Sequence, residues 1–195
     1  MLPPDELHLP AARLLLRDFR AEDLADVHAM RSDPEVARFV MDLTPESERR
    51  SQRWLDEIIY YNRQRPREAY NLAIVHRGDQ RVIGWIGIGR SERYPAEGEL
   101  GFGYLLNRAY WNQGYATEAV QTLLAHAFTA LGGRRSSAYC IAENRASARV
   151  LQKAGLRFVR TFAQIDLRQL PQLATVTCEE YAITSEEWRA ITGEH

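Results

Sequence analysis

The stretch that decides the fold reads WNQGYATEAVQTLLAHAF and runs from Trp111 to Phe128. Gly114 stands near its start among small and polar residues, and an apolar pattern begins directly behind it. Apolar residues then recur three and four positions apart, which predicts an amphipathic helix. They are Ala116, Ala119, Val120, Leu123, Leu124, Ala127 and Leu131. Gly132 and Gly133 follow and are predicted to end the helix.

The glycine at the start of this helix predicts a site for an anion. The first N–H groups of a helix have no partner within it, and the helix dipole adds partial positive charge there. A glycine just ahead lets a phosphate approach these donors closely. The main chain from Asn112 to Thr117 is therefore a candidate site for a phosphate or pyrophosphate, although a single glycine before a helix is also typical of a simple turn.

The first third of the chain shows strand and helix signals. RLLLRDF (Arg13 to Phe19) predicts a strand, and a helix is expected from Ala21 to Arg31. TPES predicts a second helix, with Thr44 as its N-cap and Pro45 at its first position. The apolar stripe of that helix comprises Trp54, Leu55, Ile58 and Ile59.

The rest of the chain mixes strands and helices. Tyr70–His76 and Arg81–Arg90, joined by RGDQ, predict a β-hairpin, and ELGFGYLL (Glu99–Leu106) predicts another strand. After the central helix we expect a strand in SSAYCIA, a helix from about Asn144 to Ala154, and closing strands near Leu156–Val159 and Thr175–Thr184. This order permits a parallel crossover with helices covering the sheet, so the predicted fold class is α/β.

Length and composition indicate one cytoplasmic domain. The 195 residues suffice for one core, and 45% hydrophobic with 26% charged residues is typical of globular proteins. A formal net charge of -1 argues against nucleic acid as the main partner. MLPPDELHLP has no signal-peptide pattern and no apolar run is long enough for a membrane span, so no membrane partner is expected. Cys140 and Cys178 are far apart and predict buried thiols.

Other catalytic motifs are absent from the sequence. No P-loop pattern occurs, GELGFG does not match GxGxxG, and no GxSxG nucleophile elbow is present. The five histidines show no metal-ligand spacing, so no metal is expected. Cys140 lies in an apolar, strand-like run, which favours a core thiol over a nucleophile.

Two motifs resemble the GNAT superfamily of N-acetyltransferases: YWNQGYATEA (Tyr110–Ala119) and ENRASARVLQKAGLRF (Glu143–Phe158). The closer resemblance is to the branch containing the ribosomal-protein N-terminal acetyltransferases RimJ and RimL, which RLLLRDFRAEDL and SDPEVARFV also resemble. The resemblance extends from about Arg13 to Trp188. It implies one domain over residues 1–195, with a mostly antiparallel, twisted sheet of about seven strands and helices on both faces. The strands ELGFGYLL and SSAYCIA would form a splayed parallel pair.

The resemblance implies acetyl-CoA as donor and an amine as acceptor. The pyrophosphate of coenzyme A would lie on the main chain of the glycine loop and helix start, and the pantetheine arm would run beside the preceding strand like an added strand. The matching residues are Asn112, Gln113, Gly114, Tyr115, Ala116 and Thr117 for the pyrophosphate, and Leu105 and Leu106 for the arm.

The sequence departs from the superfamily pattern at three positions. Trp111 stands where Gln or Arg often begins the loop, as is usual in the RimJ/RimL-like branch. Many relatives carry a glutamate at the position of Gly101, and a tyrosine that often protonates the leaving thiolate is replaced by Leu151. By strand periodicity, Glu99 lies on the same face as Gly101 and Gly103.

The resemblance also suggests catalytic groups for direct attack of the amine. Glu99 is the candidate proton acceptor, directly or through water, although a solvated glutamate at a strand entrance is an equal alternative. The N–H of Leu105 or Leu106 is the candidate donor to the oxyanion. Asn144 would both cap its helix and contact the pantetheine arm, and the Ser147 hydroxyl would stabilise or protonate the thiolate.

The identity of the acceptor stays open in the sequence. A protein N-terminus is favoured by the branch resemblance, a small amine is the runner-up, and a non-catalytic CoA-binding regulatory module is a third interpretation. Acidic residues in the first helices and the loop after Arg90 would attract a cationic amine or merely be solvated: Asp33, Glu35, Asp42, Glu46, Glu92 and Glu97. Both a monomer and a homodimer are compatible with the sequence.

Overall fold

A computed structural model describes residues 6–40, 47–166 and 174–193. Within these residues eight strands form one sheet in the order β1-β2-β3-β4-β5-β6-β8-β7. The strands are β1 (His8–Pro10), β2 (Leu14–Asp18), β3 (Ala69–His76), β4 (Arg81–Arg90), β5 (Glu99–Leu106), β6 (Arg135–Ile141), β7 (Arg157–Ile165) and β8 (Thr175–Thr184). The strand beyond the expected seven is β1, which has three residues and pairs with β2. So short a segment, ending in proline, leaves no periodic signal.

The helices flank this sheet. They are α1 (Leu24–Arg31), α2 (Pro34–Ala37), α3 (Glu48–Asn62), α4 (Tyr115–Thr129), α5 (Arg145–Lys153) and α6 (Ser185–Thr192), with single 3-10 turns at Ala21–Asp23 and Arg108–Tyr110. The predicted N-cap Thr44 and Pro45 lie outside the described residues; the residue before α3 is Ser47. The sequence prediction did not include α6, whose N-terminus is capped reciprocally by Thr184 and Glu187.

Both faces of the sheet are covered, as expected. Five residues of the apolar stripe of α4 are fully buried and belong to the core cluster that contains Leu72 and Ile74 of β3: Ala119, Val120, Leu123, Leu124 and Ala127. Neighbouring residues of a strand point to opposite faces, so Ala73 and Val75 face the other side. There they pack with residues of α1 and α3, among them Val27 and Leu55.

One pair of strands differs from all the others. Every neighbouring pair in the sheet is antiparallel except β5 and β6, which run parallel. Their register covers three residue pairs, from Glu99 opposite Arg135 to Gly101 opposite Ser137. Beyond these pairs both strands continue, to Leu106 and Ile141, without pairing to each other. The predicted splayed parallel pair is therefore confirmed.

No helix in the described part of the chain is long and apolar enough to cross a membrane.

Candidate active site

The glycine loop at the start of α4 has the geometry that the sequence predicts for an anion site. Gly114 caps the helix with φ +81°, a left-handed conformation that favours glycine, and Asn112 has φ +59°. Among the described residues, none accepts a hydrogen bond from the main-chain N–H groups of residues 112–117. These donors, together with the positive end of the helix dipole, face no internal acceptor. The loop can therefore bind an anion through main-chain groups.

The loop is held from behind by Arg13, which precedes β2. Its guanidinium donates to the carbonyl of Gln113 at 3.0 Å and to Glu118 of α4 at 2.8 Å. The same guanidinium lies over the ring of Tyr115, 4.4 Å from the centroid. The Gln113 side chain donates to the Ala109 carbonyl at 3.0 Å. These contacts keep the loop in one shape without using its N–H groups.

The main chain of β5 presents alternate residues to the open side. The Glu99 carbonyl accepts from Ser91 at 3.0 Å and the Asn107 N–H donates to Ile83 at 2.8 Å, so odd-numbered residues direct their main chain toward β4. Even-numbered residues therefore face the gap. The Leu106 carbonyl is on that side and accepts from the Trp111 indole at 2.8 Å. Of the two predicted oxyanion donors, Leu106 presents its N–H to the gap and Leu105 presents it to β4.

Three polar side chains meet inside the gap. The hydroxyls of Tyr104 on β5 and Ser147 on α5 lie 2.8 Å apart. Burial raises the pKa of Tyr104, so its hydroxyl stays protonated. Burial also raises the pKa of the Cys140 thiol on β6, to about 11, although a hydrogen bond with Ser147 opposes the shift. All three groups are uncharged near neutral pH.

Asn144 has the structural role that the sequence predicts. It is the N-cap of α5, and its side-chain oxygen accepts from the Ser147 N–H at 3.0 Å. This bond orients the first turn of α5 and places the Ser147 hydroxyl toward β5. The predicted contact of Asn144 with the pantetheine arm stays a prediction.

Glu99 lies at the closed end of the parallel pair. Its carboxylate pairs with Arg135 at 3.0 Å, and the same guanidinium lies 3.5 Å from the buried carboxylate of Glu180 on β8. Glu180 also accepts from Arg160 at 2.9 Å and from the Tyr94 hydroxyl at 3.0 Å. Burial raises the pKa of Glu180, but these hydrogen bonds outweigh it and hold the pKa below its usual range. The carboxylates at this end are thus already partnered.

A cavity of about 1190 Å³ joins the loop, the gap and the face of β4 and β5. Nine of the predicted site residues line it: Leu105, Leu106, Asn112, Gly114, Tyr115, Ala116, Thr117, Asn144 and Ser147. Gln113 and Glu99 are not among the lining residues. Glu180 does line the cavity. The sequence prediction missed it because the residues that it contacts lie on other strands.

Tyr104 is the other residue of the site that the sequence prediction missed. Strand alternation places Tyr104 on the same face as the buried Phe102 and Leu106. A residue with a hydroxyl on this buried face was the one sequence feature from which its role could have been predicted. In the described part of the chain no cluster of three or more His, Cys, Asp or Glu residues could hold a metal ion.

This fold and cavity are those of an acyltransferase. The family model of the GNAT acetyltransferase domain matches residues 13–157. The chain therefore belongs to the GNAT family, whose fold binds acetyl-CoA, and it is an N-acetyltransferase.

Three similar proteins place this assignment in context. YnaD of Bacillus subtilis, described as an uncharacterized N-acetyltransferase, is 30% identical over 183 residues, covering 93% of this chain and 99% of YnaD. A GNAT-family acetyltransferase from Bacillus anthracis superposes with a TM-score of 0.76 at 26% identity, covering 92% of this chain and 99% of the other. Mycobacterium smegmatis RimJ, solved with CoA-disulfide, has a TM-score of 0.74 at 23% identity and covers 96% and 93%.

Proposed function

We propose that this protein transfers the acetyl group of acetyl-CoA directly to a primary amine, with a protein N-terminal α-amine as acceptor. One observation carries the proposal: the unpaired N–H groups around Gly114 and the open gap between β5 and β6 border the same cavity. An anion site at the mouth of a slot between strands suits a donor with a diphosphate and a long, thin arm.

The proposed donor site uses main chain almost throughout. The diphosphate would accept hydrogen bonds from residues 112–117, and the pantetheine arm would lie beside the even-numbered main-chain groups of β5. Leu105 and Asn144 would contribute wall contacts. Gln113 would act through its carbonyl, by which Arg13 fixes the loop. Mycobacterium smegmatis RimJ, which shares this fold, was solved with CoA-disulfide, and this supports coenzyme A as the carrier of the acetyl group.

The chemistry needs three groups at the thioester. In the proposal the Leu106 N–H stabilises the oxyanion that forms when the amine attacks. The Ser147 hydroxyl faces the sulfur and stabilises the departing thiolate. Glu99 is the proton acceptor predicted from sequence. Because Glu99 is paired with Arg135 and does not line the cavity, we propose that water takes the ammonium proton and that Glu99 contributes little to the rate.

The charges in the part of the cavity lined by Arg90, Glu92 and Arg93, where we place the acceptor, favour a peptide N-terminus over a polyamine as substrate. Of the acidic residues expected to attract a cation, only Glu92 is among the described lining residues, and Arg90 and Arg93 line the same region. Asp33 instead caps α2, accepting from the Glu35 N–H at 2.8 Å. Asp42 and Glu46 lie outside the described residues. A large cavity with both charges suits a peptide, whose side chains and carbonyls vary, better than a polycation.

The experiment is calorimetry with acetyl-CoA, followed by a thiol-release assay on a panel of amines. The panel contains peptides with free N-termini, the same peptides blocked at the N-terminus and carrying an internal lysine, spermidine, an aminoglycoside and free amino acids. We expect turnover on the free N-termini alone. Turnover on the small amines alone would favour the runner-up, and binding without turnover on any amine would favour a regulatory module.

A further inference from the structure

The hydroxyls of Tyr104 and Ser147 form a pair that reaches across the gap. Tyr104 comes from β5 and Ser147 from α5, and their oxygens are 2.8 Å apart. The Tyr104 hydroxyl also lies 3.3 Å from the Ser147 carbonyl, to which it can donate. Each hydroxyl has one proton and can rotate, so the pair can change its donor and acceptor roles without moving heavy atoms.

We propose that Tyr104 is a positioning residue for the leaving thiolate: its hydroxyl donates to the Ser147 oxygen and so directs the Ser147 proton at the sulfur of coenzyme A. The inference rests on the proposed function, because it requires the thioester to lie in this gap. In the free protein the Ser147 hydroxyl can instead donate its hydrogen bond to the Tyr104 oxygen. When the sulfur is negatively charged, the opposite arrangement is favoured: Tyr104 donates to Ser147, and Ser147 donates to the sulfur. The two hydrogen bonds then point the same way and together stabilise the negative charge.

The groups around Tyr104 and Ser147 offer a thiolate little other stabilisation than these two hydroxyls. Leu151 of α5 is fully buried and apolar, so it brings no hydroxyl to this part of the structure. The Cys140 thiol of β6 interacts with both hydroxyls, and the charged groups that act on this thiol are Glu179 of β8 and Arg145 of α5. Glu179 and Arg145 are paired with each other at 3.0 Å. A thiolate formed in this gap is therefore stabilised mainly by uncharged hydroxyls, and their orientation matters.

The proton balance leaves both residues neutral. The amine nitrogen forms a bond to the acetyl carbon, the carbon–sulfur bond breaks with its electron pair on sulfur, and the proton of the ammonium passes to water or a carboxylate. Ser147 donates a hydrogen bond to the thiolate and Tyr104 donates one to the Ser147 oxygen, and both keep their protons. The raised pKa of Tyr104 fits this role, because a donor that must stay protonated is needed.

The test compares Tyr104→Phe with Tyr181→Phe. Tyr181 is buried in the same sheet, and its hydroxyl donates to Glu179 at 2.6 Å, so the control also loses one buried tyrosine hydroxyl. Calorimetry measures Kd for coenzyme A and for desulfo-CoA at about pH 8.5, where part of the coenzyme A thiol is ionised. Steady-state kinetics with acetyl-CoA and the best amine gives kcat and KM.

For Tyr104→Phe we expect Kd for coenzyme A to rise about fivefold, with Kd for desulfo-CoA unchanged and kcat about tenfold lower at unchanged KM for acetyl-CoA. Tyr181→Phe should change none of these. In a Ser147→Ala background, Tyr104→Phe should have no further effect.

Equal weakening of coenzyme A and desulfo-CoA, or an undiminished effect of Tyr104→Phe without Ser147, would overturn the inference and leave the proposed function standing. If the wild-type protein does not bind coenzyme A, both fall. If it binds coenzyme A but acetylates no amine, the comparison with desulfo-CoA still decides whether Tyr104 acts on the sulfur.

Discussion

The two ends of the β5–β6 pair are built on opposite principles. At the closed end, three residue pairs are in register, and charged side chains from neighbouring strands lie around them. At the open end, the strands do not pair with each other, and uncharged groups border the gap: Tyr104, Cys140 and Ser147. In the proposed function the ligand enters between β5 and β6, so the separation of these two strands must end at some point along them. The comparison shows which groups end it.

Charged side chains from four strands hold β5 and β6 together at the closed end. Arg135 of β6 contacts Glu99 of β5 and Glu180 of β8, and Arg160 of β7 contacts Glu180 from the other side. The network therefore links β5 to β6 and β8 where the main chains of β5 and β6 pair over three residue pairs. Beyond this network, the even-numbered main-chain groups of β5 do not pair with β6, and the Leu106 carbonyl is held by Trp111.

The largest effect is expected at the mouth of the open end. Gly114→Ala puts a side chain on a residue with φ +81°, which shifts the loop and its N–H groups, so Kd for acetyl-CoA should rise about 30-fold. Gly132→Ala is the control, since Gly132 has φ +67° and no atom within 4 Å of an added Cβ. Both variants should lose about 1 kcal/mol of stability in urea unfolding. Equal loss of acetyl-CoA affinity would contradict the anion-loop assignment.

Breaking the closed end should cost stability rather than donor affinity. Arg135→Met deprives the buried Glu180 of one donor and Glu99 of its partner, so the free energy of unfolding should fall by about 2 kcal/mol. Arg157→Met is the matched control, because Arg157 also pairs with a glutamate, Glu187 at 3.1 Å, but is 78% exposed. It should lose under about 0.5 kcal/mol. Similar losses for both arginines would show that the charged network around Glu180 does not stabilise the closed end.

The closed end should also weaken in acid. Because the folded pKa of Glu180 is lowered, its ionised form contributes stability above about pH 4.5, and that stability is lost as the pH falls through the folded pKa. Unfolding in urea between about pH 6 and pH 3 should therefore show a steeper loss in the wild-type protein than in Glu180→Gln. Parallel curves would mean that this carboxylate does not contribute.

A smaller effect is expected from Glu99→Gln. If Glu99 accepts the ammonium proton, kcat should fall by about 100-fold. From its ion pair with Arg135 and its place outside the cavity wall, we expect a fall of less than about threefold, together with a modest loss of stability. Steady-state kinetics over a range of pH measures both. A 100-fold loss at full stability would assign the proton transfer to Glu99.

The smallest effect is expected at Cys140, in the wall of the gap. Burial raises the pKa of its thiol to about 11, so the thiolate needed for a nucleophile is scarce near neutral pH. Cys140→Ala should change kcat by less than about twofold, and mass spectrometry should find no acetyl-enzyme. Accumulation of protein acetylated at Cys140 would replace direct attack with a covalent route.

Much of the geometry of the proposed donor site was predictable because its signals are local. A turn at Gly114, a helix behind it and an N-cap at Asn144 are each encoded within a few residues. Strand alternation likewise groups Glu99 with Gly101 and Gly103. The partners of these groups were not predictable. The Tyr104–Ser147 contact joins residues 43 apart and the Tyr94–Glu180 contact joins residues 86 apart, so both depend on how a helix or a loop packs against distant strands.

The sequence by itself determined the family, the order of most elements and the glycine turn at the start of α4, since hydrophobic periodicity and turn chemistry act over short stretches. Only the tertiary structure decided which end of β5 is closed, that Leu106 rather than Leu105 faces the gap, and that Glu99 is engaged by Arg135. These features follow from the register of strands distant in the chain, because a carboxylate or hydroxyl acquires its role only from the groups that the fold brings beside it.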